Sequence, residues 1–129
     1  MPNSRPTRRR SLYLWLFFGL RGRISRRVYW MAYLFLIALN SVVIGQILGG
    51  ESGSFFALAE TVGPFLVIAT LYCNLSIAVK RLHDIGYGGF LAAALFVPFV
   101  NLAFTIWVGL LPGMAGPNQF GEAPDSLPA

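Results

Sequence analysis

The sequence predicts an all-α fold, an integral membrane helical bundle of three transmembrane helices preceded by an interfacial amphipathic helix. Three observations predict it. Charged residues make up 12% of the chain and apolar residues 56%, where an ordinary soluble domain is about 25% charged. Residues 28–49, 61–79 and 90–111 contain no charged side chain, and each stretch is roughly 20 residues, enough at about 1.5 Å per residue to cross a hydrocarbon core of about 30 Å. All ten basic residues lie before Val28 or at Lys80 and Arg81, between those stretches. A soluble domain of this size buries only about two-thirds of its unfolded surface, so three helices apolar on every face would expose large greasy areas to water.

Taken in order, residues 1–10 read as a disordered basic tail, 11–111 as the membrane domain and 112–129 as a tail rich in glycine and proline. The apolar run from Leu12 to Phe18 is too short to span. It is followed by Arg21 and Arg23 instead of the small residues of a cleavage site, so a removed signal is not expected. Its aromatic residues Tyr13, Trp15, Phe17 and Phe18 suit a helix lying at headgroup level.

The span 28–49 leads into a loop, 50–60, that carries Glu51 and Glu60. Thr61 as N-cap and Pro64 in the first turn would start the second span. Lys80 and Arg81 would end it, since either at the bilayer centre costs about 2.5–3.5 kcal/mol. Eight of the ten basic residues precede the first span, which orients the N-terminus to the cytoplasm, and Lys80 and Arg81 agree. In the third stretch Pro98 removes a donor and crowds the carbonyl of Ala94, with Asn101 one turn later. The expectation is a kinked span that carries the tail outside. The alternative turns back between Pro98 and Asn101 and leaves the tail cytoplasmic, a path that needs shielding of irregular backbone.

Asn40, Ser41, Thr70, Asn74, Asn101 and Thr105 are the polar residues within the spans that need explaining. Interhelical hydrogen bonds, at about 0.6 kcal/mol each, are their expected role. No span contains an ionisable residue, which counts against proton relays and most ion-coupled transport. Gly45 and Gly49, at small-x-x-x-small spacing, hint at close helix contact and hence at a homo-oligomer.

Two polar clusters meet at one membrane surface, one from Gly22 to Trp30 and the other from Lys80 to Gly86. Each has the wrong sign for its own helix. Arg26 and Arg27 sit at a helix N-terminus, which is already positive, and Asp84 sits at a C-terminus, which is negative. Because the two helices run antiparallel, these ends are neighbours, and pairing Asp84 with Arg23 or Arg26 relieves both conflicts. A charged clamp of Arg23, Arg26, Arg81 and Asp84 is therefore expected. Local pairs of Asp84 with Lys80 or Arg81, worth only about 0.2–0.5 kcal/mol, are the alternative.

The same residues carry a resemblance. G-R-x-x-R-x-x-aromatic-Trp at Gly22 to Trp30, R-L-H-D-x-G at Arg81 to Gly86 and P-G-x-x-G-P-N-x-F-G at Pro112 to Gly121 together resemble the bacterial inner-membrane family catalogued as domain of unknown function 805. The resemblance covers about Phe17 to Pro124. It implies a location in the bacterial inner membrane and a common fold, which the multi-pass reading with a cytoplasmic N-terminus drawn above from span and charge placement agrees with; the family's biochemical role is unassigned. Where the family often has glutamate this chain has Val28, so the capping box that Ser25 could begin is incomplete. Phe90 and Leu91 stand where the family tends to have a tryptophan pair.

His83 beside Asp84 invites a reading as a general base on a lipid headgroup. Adjacent helix residues point about 100° apart, however, and no serine or cysteine nucleophile lies at a suitable spacing. One histidine and one cysteine cannot make an ordinary zinc site. No catalytic residue, metal or cofactor is expected; His83, Lys80, Arg27 and Asn118 are candidates for contact with a ligand or lipid. The arginines flank apolar segments where anionic lipid phosphates are at hand, which favours membrane lipids over nucleic acid as partners. The expected role is a non-enzymatic interaction or regulatory component of the membrane, working with an unknown membrane protein partner or a second copy of itself. The alternatives are an oligomeric channel or transporter subunit and, third, a headgroup enzyme using His83 and Asp84.

Overall fold

The computed structural model describes residues 8–49 and 53–128. Most of the expected basic tail, residues 1–7, and Glu51 of the expected loop lie outside the described residues. Among the described residues four α-helices and one 3-10 helix follow in order: α1 (Arg8–Phe18), α2 (Arg26–Gly49), α3 (Ser54–Ile85), the 3-10 helix (Gly89–Phe96) and α4 (Val100–Leu110). Among the described residues two helices, α2 and α3, are long and apolar enough to cross a membrane. At about 1.5 Å per residue α3 is about 48 Å long, well beyond a hydrocarbon core of about 30 Å.

Helix α3 is the mast of the fold. The helices α1, α2 and α4 and the 3-10 helix all pack on it, while the backbones of α1 and α2 stay apart and meet through side chains such as Phe17 and Phe35. The buried core runs through Tyr29, Ala32 and Leu36 of α2, Cys73, Ile77 and Leu82 of α3, and Phe104 and Val108 of α4. Away from it the helices present large apolar side chains outward on every face, Phe35, Phe65, Ile68 and Leu110 among them. Lipid makes that surface stable where water would not.

Between α2 and α3, Asn40 and Thr70 form an interhelical pair, with Asn40 Nδ2 donating to Thr70 Oγ1 at 3.0 Å. Close approach comes at Gly63, where a Cβ would lie 3.0 Å from Val43 Cγ1. Gly45 and Gly49, in contrast, face open space within the chain. Helix α3 also starts earlier than the Thr61 cap expected from sequence. Its N-cap is Gly53 and Pro64 lies inside it, while the Thr61 hydroxyl donates back to the carbonyl of Ala57 at 2.9 Å.

The third apolar stretch corrects the sequence expectation of a kinked span. It is split into the 3-10 helix and α4, with Val97 extended and Phe99 at φ 65° between them. Pro98 has no N–H to continue a helix, and Asn101 Nδ2 donates to the carbonyl of Leu95 at 2.6 Å, tying the two arms across the break. Eight residues of 3-10 helix at about 2.0 Å rise and eleven of α-helix at about 1.5 Å each extend about 16 Å, half a hydrocarbon core. Both arms end at the same level of α3. A Cβ on Gly89 would meet Val79 and His83, and the carbonyl of Leu111 accepts from Arg81. The stretch is a hairpin, and the chain after it lies beside the Lys80 to Asp84 end of α3.

Candidate functional site

At that end the three sequence motifs converge. The linker from Gly19 to Ser25 crosses the end of α3, turning at Gly22, whose φ of 98° suits glycine. The Trp15 indole supports the turn from beneath, donating to the carbonyl of Arg21 at 2.7 Å. Helix α3 stops at Gly86, in the left-handed conformation at φ 99°, whose N–H bonds the carbonyls of Leu82 and His83. That C-cap explains the glycine closing R-L-H-D-x-G.

Asp84 is the centre. Arg23 Nε donates to its Oδ1 at 3.0 Å, Arg81 pairs with its Oδ2, and all three side chains are buried. Two guanidiniums on one carboxylate leave a surplus positive charge, and backbone carbonyls absorb it. Arg23 also donates to Met114 and Gly116 at 2.7 Å each and to Gly121 at 3.3 Å; Arg81 donates to Val108 at 3.1 Å, to Ile24 at 3.3 Å and to Leu111.

Those carbonyls follow a pattern. The last turn of any helix leaves carbonyls without intrahelical partners and carries partial negative charge. At the end of α4, Val108 and Leu111 are taken by Arg81, Gly109 by Trp30 Nε1 at 3.0 Å and Leu110 by Arg26 at 3.3 Å. At the end of α1, Lys80 Nζ reaches Trp15 at 2.7 Å, Leu16 at 2.5 Å and Gly19 at 2.7 Å. Tyr72 and Ser76, on the same face of α3 at four-residue spacing, take Phe18 at 2.8 Å and Gly19 at 2.5 Å. Adjacent on α3, Lys80 and Arg81 point to different sides, and each caps the C-terminus of a different short helix. Lys80 and Arg81, already well placed near the C-terminus of α3, thus also complement the dipoles of α1 and α4, and Arg26, which opposes the dipole of α2, complements that of α4.

The tail completes the enclosure. Met114 N–H donates to the carbonyl of Asp84 at 2.7 Å, Gly113 is so close that a Cβ would overlap the Asp84 carboxylate, and Asn118 Nδ2 donates to the carbonyl of His83 at 2.9 Å. The Phe120 ring stacks on His83 at 4.1 Å between centroids and 4° between planes. His83 Nδ1 lies 3.1 Å from the carbonyl of Gly22, which can only accept, so this nitrogen carries the proton. Further on, Asp125 Oδ1 accepts the N–H of Ser25 at 2.8 Å, while Ser25 Oγ accepts that of Val28 at 3.3 Å. The tail therefore supplies the carboxylate that Val28 withholds from the capping box.

Of the residues singled out from sequence, Arg23, Arg81 and Asp84 come together. Arg26 does not reach Asp84 and turns to α4. Lys80 is fully buried beneath α1, which withdraws it from any surface ligand. His83 and Asn118 are bound to one another's segments, and Arg27 is exposed. Sequence reasoning missed Trp15, Gly113 and Asp125; only the concentration of glycine in the tail signals a close approach. Among the described residues no three His, Cys, Asp or Glu side chains gather as a metal site would require.

The family described as "Protein of unknown function (DUF805)" matches residues 17–122. The chain is similar to inner membrane protein YhaI of Escherichia coli strain K12, 27% identical over 107 residues, 82% of this chain and 86% of that one. It is also similar to inner membrane protein YhaH of the same strain, 28% identical over 112 residues, 85% of this chain and 90% of that one. No solved structure matches.

Proposed function

The chain belongs to the DUF805 family and is a bacterial inner-membrane protein, and on that premise we propose that it is a non-enzymatic interaction or regulatory component whose basic cytoplasmic end rests on anionic lipid. One observation carries the reading: the buried ionisable groups are consumed inside the fold. Arg23 and Arg81 serve Asp84 and the carbonyls of α4 and the tail, Lys80 serves α1, and His83 is held by Gly22 and Phe120. A general base needs a free lone pair within reach of a substrate proton; Arg23, Arg81 and Lys80 offer none, and the lone pair that His83 keeps on Nε2 when Nδ1 carries the proton is the group the His83→Ala comparison tests. Arg21, Arg26 and Arg27 remain exposed. In this reading they face the cytoplasmic leaflet, each contributing on the order of 1 kcal/mol near anionic headgroups. The N-terminus is cytoplasmic and the hairpin of the third stretch dips halfway into the bilayer and returns.

The test is the purified full chain in lipid nanodiscs. Its thermal midpoint should be higher in phosphatidylglycerol than in phosphatidylcholine, and mass spectrometry of the lipid should show no headgroup turnover. Turnover that disappears in His83→Ala would replace this reading with the enzymatic one.

A further inference from the structure

We propose that the groove between α1 and α2 holds one acyl chain of an anionic phospholipid, with Arg27 at its mouth binding the headgroup phosphate. The proposal rests on the reading that the basic end faces anionic lipid, and gives that reading a defined site.

The groove exists because of the way α1 is fastened. Tyr72, Ser76 and Lys80 draw the end of α1 onto α3, so the backbones of α1 and α2 stay apart and only side chains meet between them, Phe17 against Phe35. What remains between them is a furrow of two adjoining lobes, about 320 and 310 Å³, which share Tyr13, Leu16 and Val28 as lining. The second lobe runs on past Met31 to Phe35 and is almost wholly apolar. Phe17 and Phe35, 6.0 Å apart between ring centroids, close its far end. From Val28 to Phe35 α2 rises about 10 Å, so the furrow is short, and it opens sideways past the half-exposed Met31 and Phe35. A partner helix is about 10–12 Å across with its side chains, too broad to enter behind the phenylalanine pair. A polymethylene chain is slender, flexible and chemically matched to such walls.

Charge selects the headgroup. Arg27 lies one turn before Met31 on the same face of α2. It is exposed, and among the described residues it has neither hydrogen bond nor ion pair. Its neighbour Arg26 is occupied with Leu110. The Asp125 carboxylate at the other side of the mouth is taken up by the N–H of Ser25, and as an anion it directs a phosphate toward Arg27.

Native mass spectrometry of the full chain, offered phosphatidylglycerol and phosphatidylcholine of identical acyl chains at equal amounts in detergent, tests the site. One lipid should be retained, with phosphatidylglycerol favoured about fivefold, the ratio one basic residue near an anionic headgroup supplies. Arg27→Gln should bring the ratio near unity with a lipid still bound. Val28→Phe, which places a ring where the two lobes join, should lose the lipid, and Met31→Trp should do the same from the outer wall if Val28→Phe does not fold. Equal retention of the two lipids by the unaltered chain would overturn the proposal, as would undiminished retention in a folded groove-filling variant or a dimer whose formation displaces the lipid. If the nanodisc midpoint still rises with phosphatidylglycerol while the mass spectra show no preference, the groove site is wrong and the basic lipid-facing end stands. If the midpoint does not rise, the broader reading fails with it.

Discussion

Arg23 and Asp84, 61 residues apart in sequence, meet through a 3.0 Å hydrogen bond with both side chains buried. The pair joins the linker before α2 to the last turn of α3, and Arg81 shares the same carboxylate. Asp84→Asn keeps the shape and removes the charge, leaving two buried guanidiniums with no counter-ion. Removing one partner of a buried ion pair costs about 3–5 kcal/mol. Thermal denaturation in mild detergent should show a loss of that order, and Asp84→Ala should lower cellular accumulation further.

Lys80→Met tests the fastening of α1. The methionine fills similar space and supplies no donor to Trp15, Leu16 and Gly19. Hydrogen bonds from a charged donor are worth about 1.5–3 kcal/mol each, so amide exchange at the end of α1 should accelerate by more than about tenfold. Exchange in the middle of α2 and α3 should hardly change.

Gly113→Ala places a methyl group on the Asp84 carboxylate. The tail must move away, at a cost of about 1–3 kcal/mol for overpacking, and protease cleavage between Gly113 and Asp125 should become faster. Gly45→Ala and Gly49→Ala point into open space and should leave stability within about 0.5 kcal/mol.

Asp125→Ala removes the acceptor of the Ser25 N–H and should destabilise by about 0.5–2 kcal/mol, the range for a lost helix cap. Val28→Glu in that background restores a capping box within α2. Partial recovery of the midpoint would identify the effect as capping.

Charge placement made much of this legible. Antiparallel helices with charges opposing their own dipoles left Asp84 and an arginine as natural partners, and Arg23 is the one that arrives. Arg26 was harder to place, because its acceptor is the end of α4, and a reading of residues 90–111 as one span puts that end on the other side of the bilayer. Lys80 reads as a surface group for a related reason: nothing in Leu12 to Phe18 indicates that this helix stops over Ser76. The break at Phe99 depends on Asn101 finding the carbonyl of Leu95, a contact that proline alone does not imply. Gly63 packs against Val43, whereas the more conspicuous Gly45 and Gly49 do not pack, since spacing shows which residues share a face and not what that face meets.

The account turns on the hairpin that brings the tail back to Asp84. Fusing green fluorescent protein or alkaline phosphatase to the C-terminus of the full chain measures this directly. The fluorescent fusion should be bright and the phosphatase fusion inactive, as for a cytoplasmic tail beside a cytoplasmic N-terminus. An active phosphatase with a dark fluorescent fusion would place the tail across the membrane from Arg23 and contradict the account.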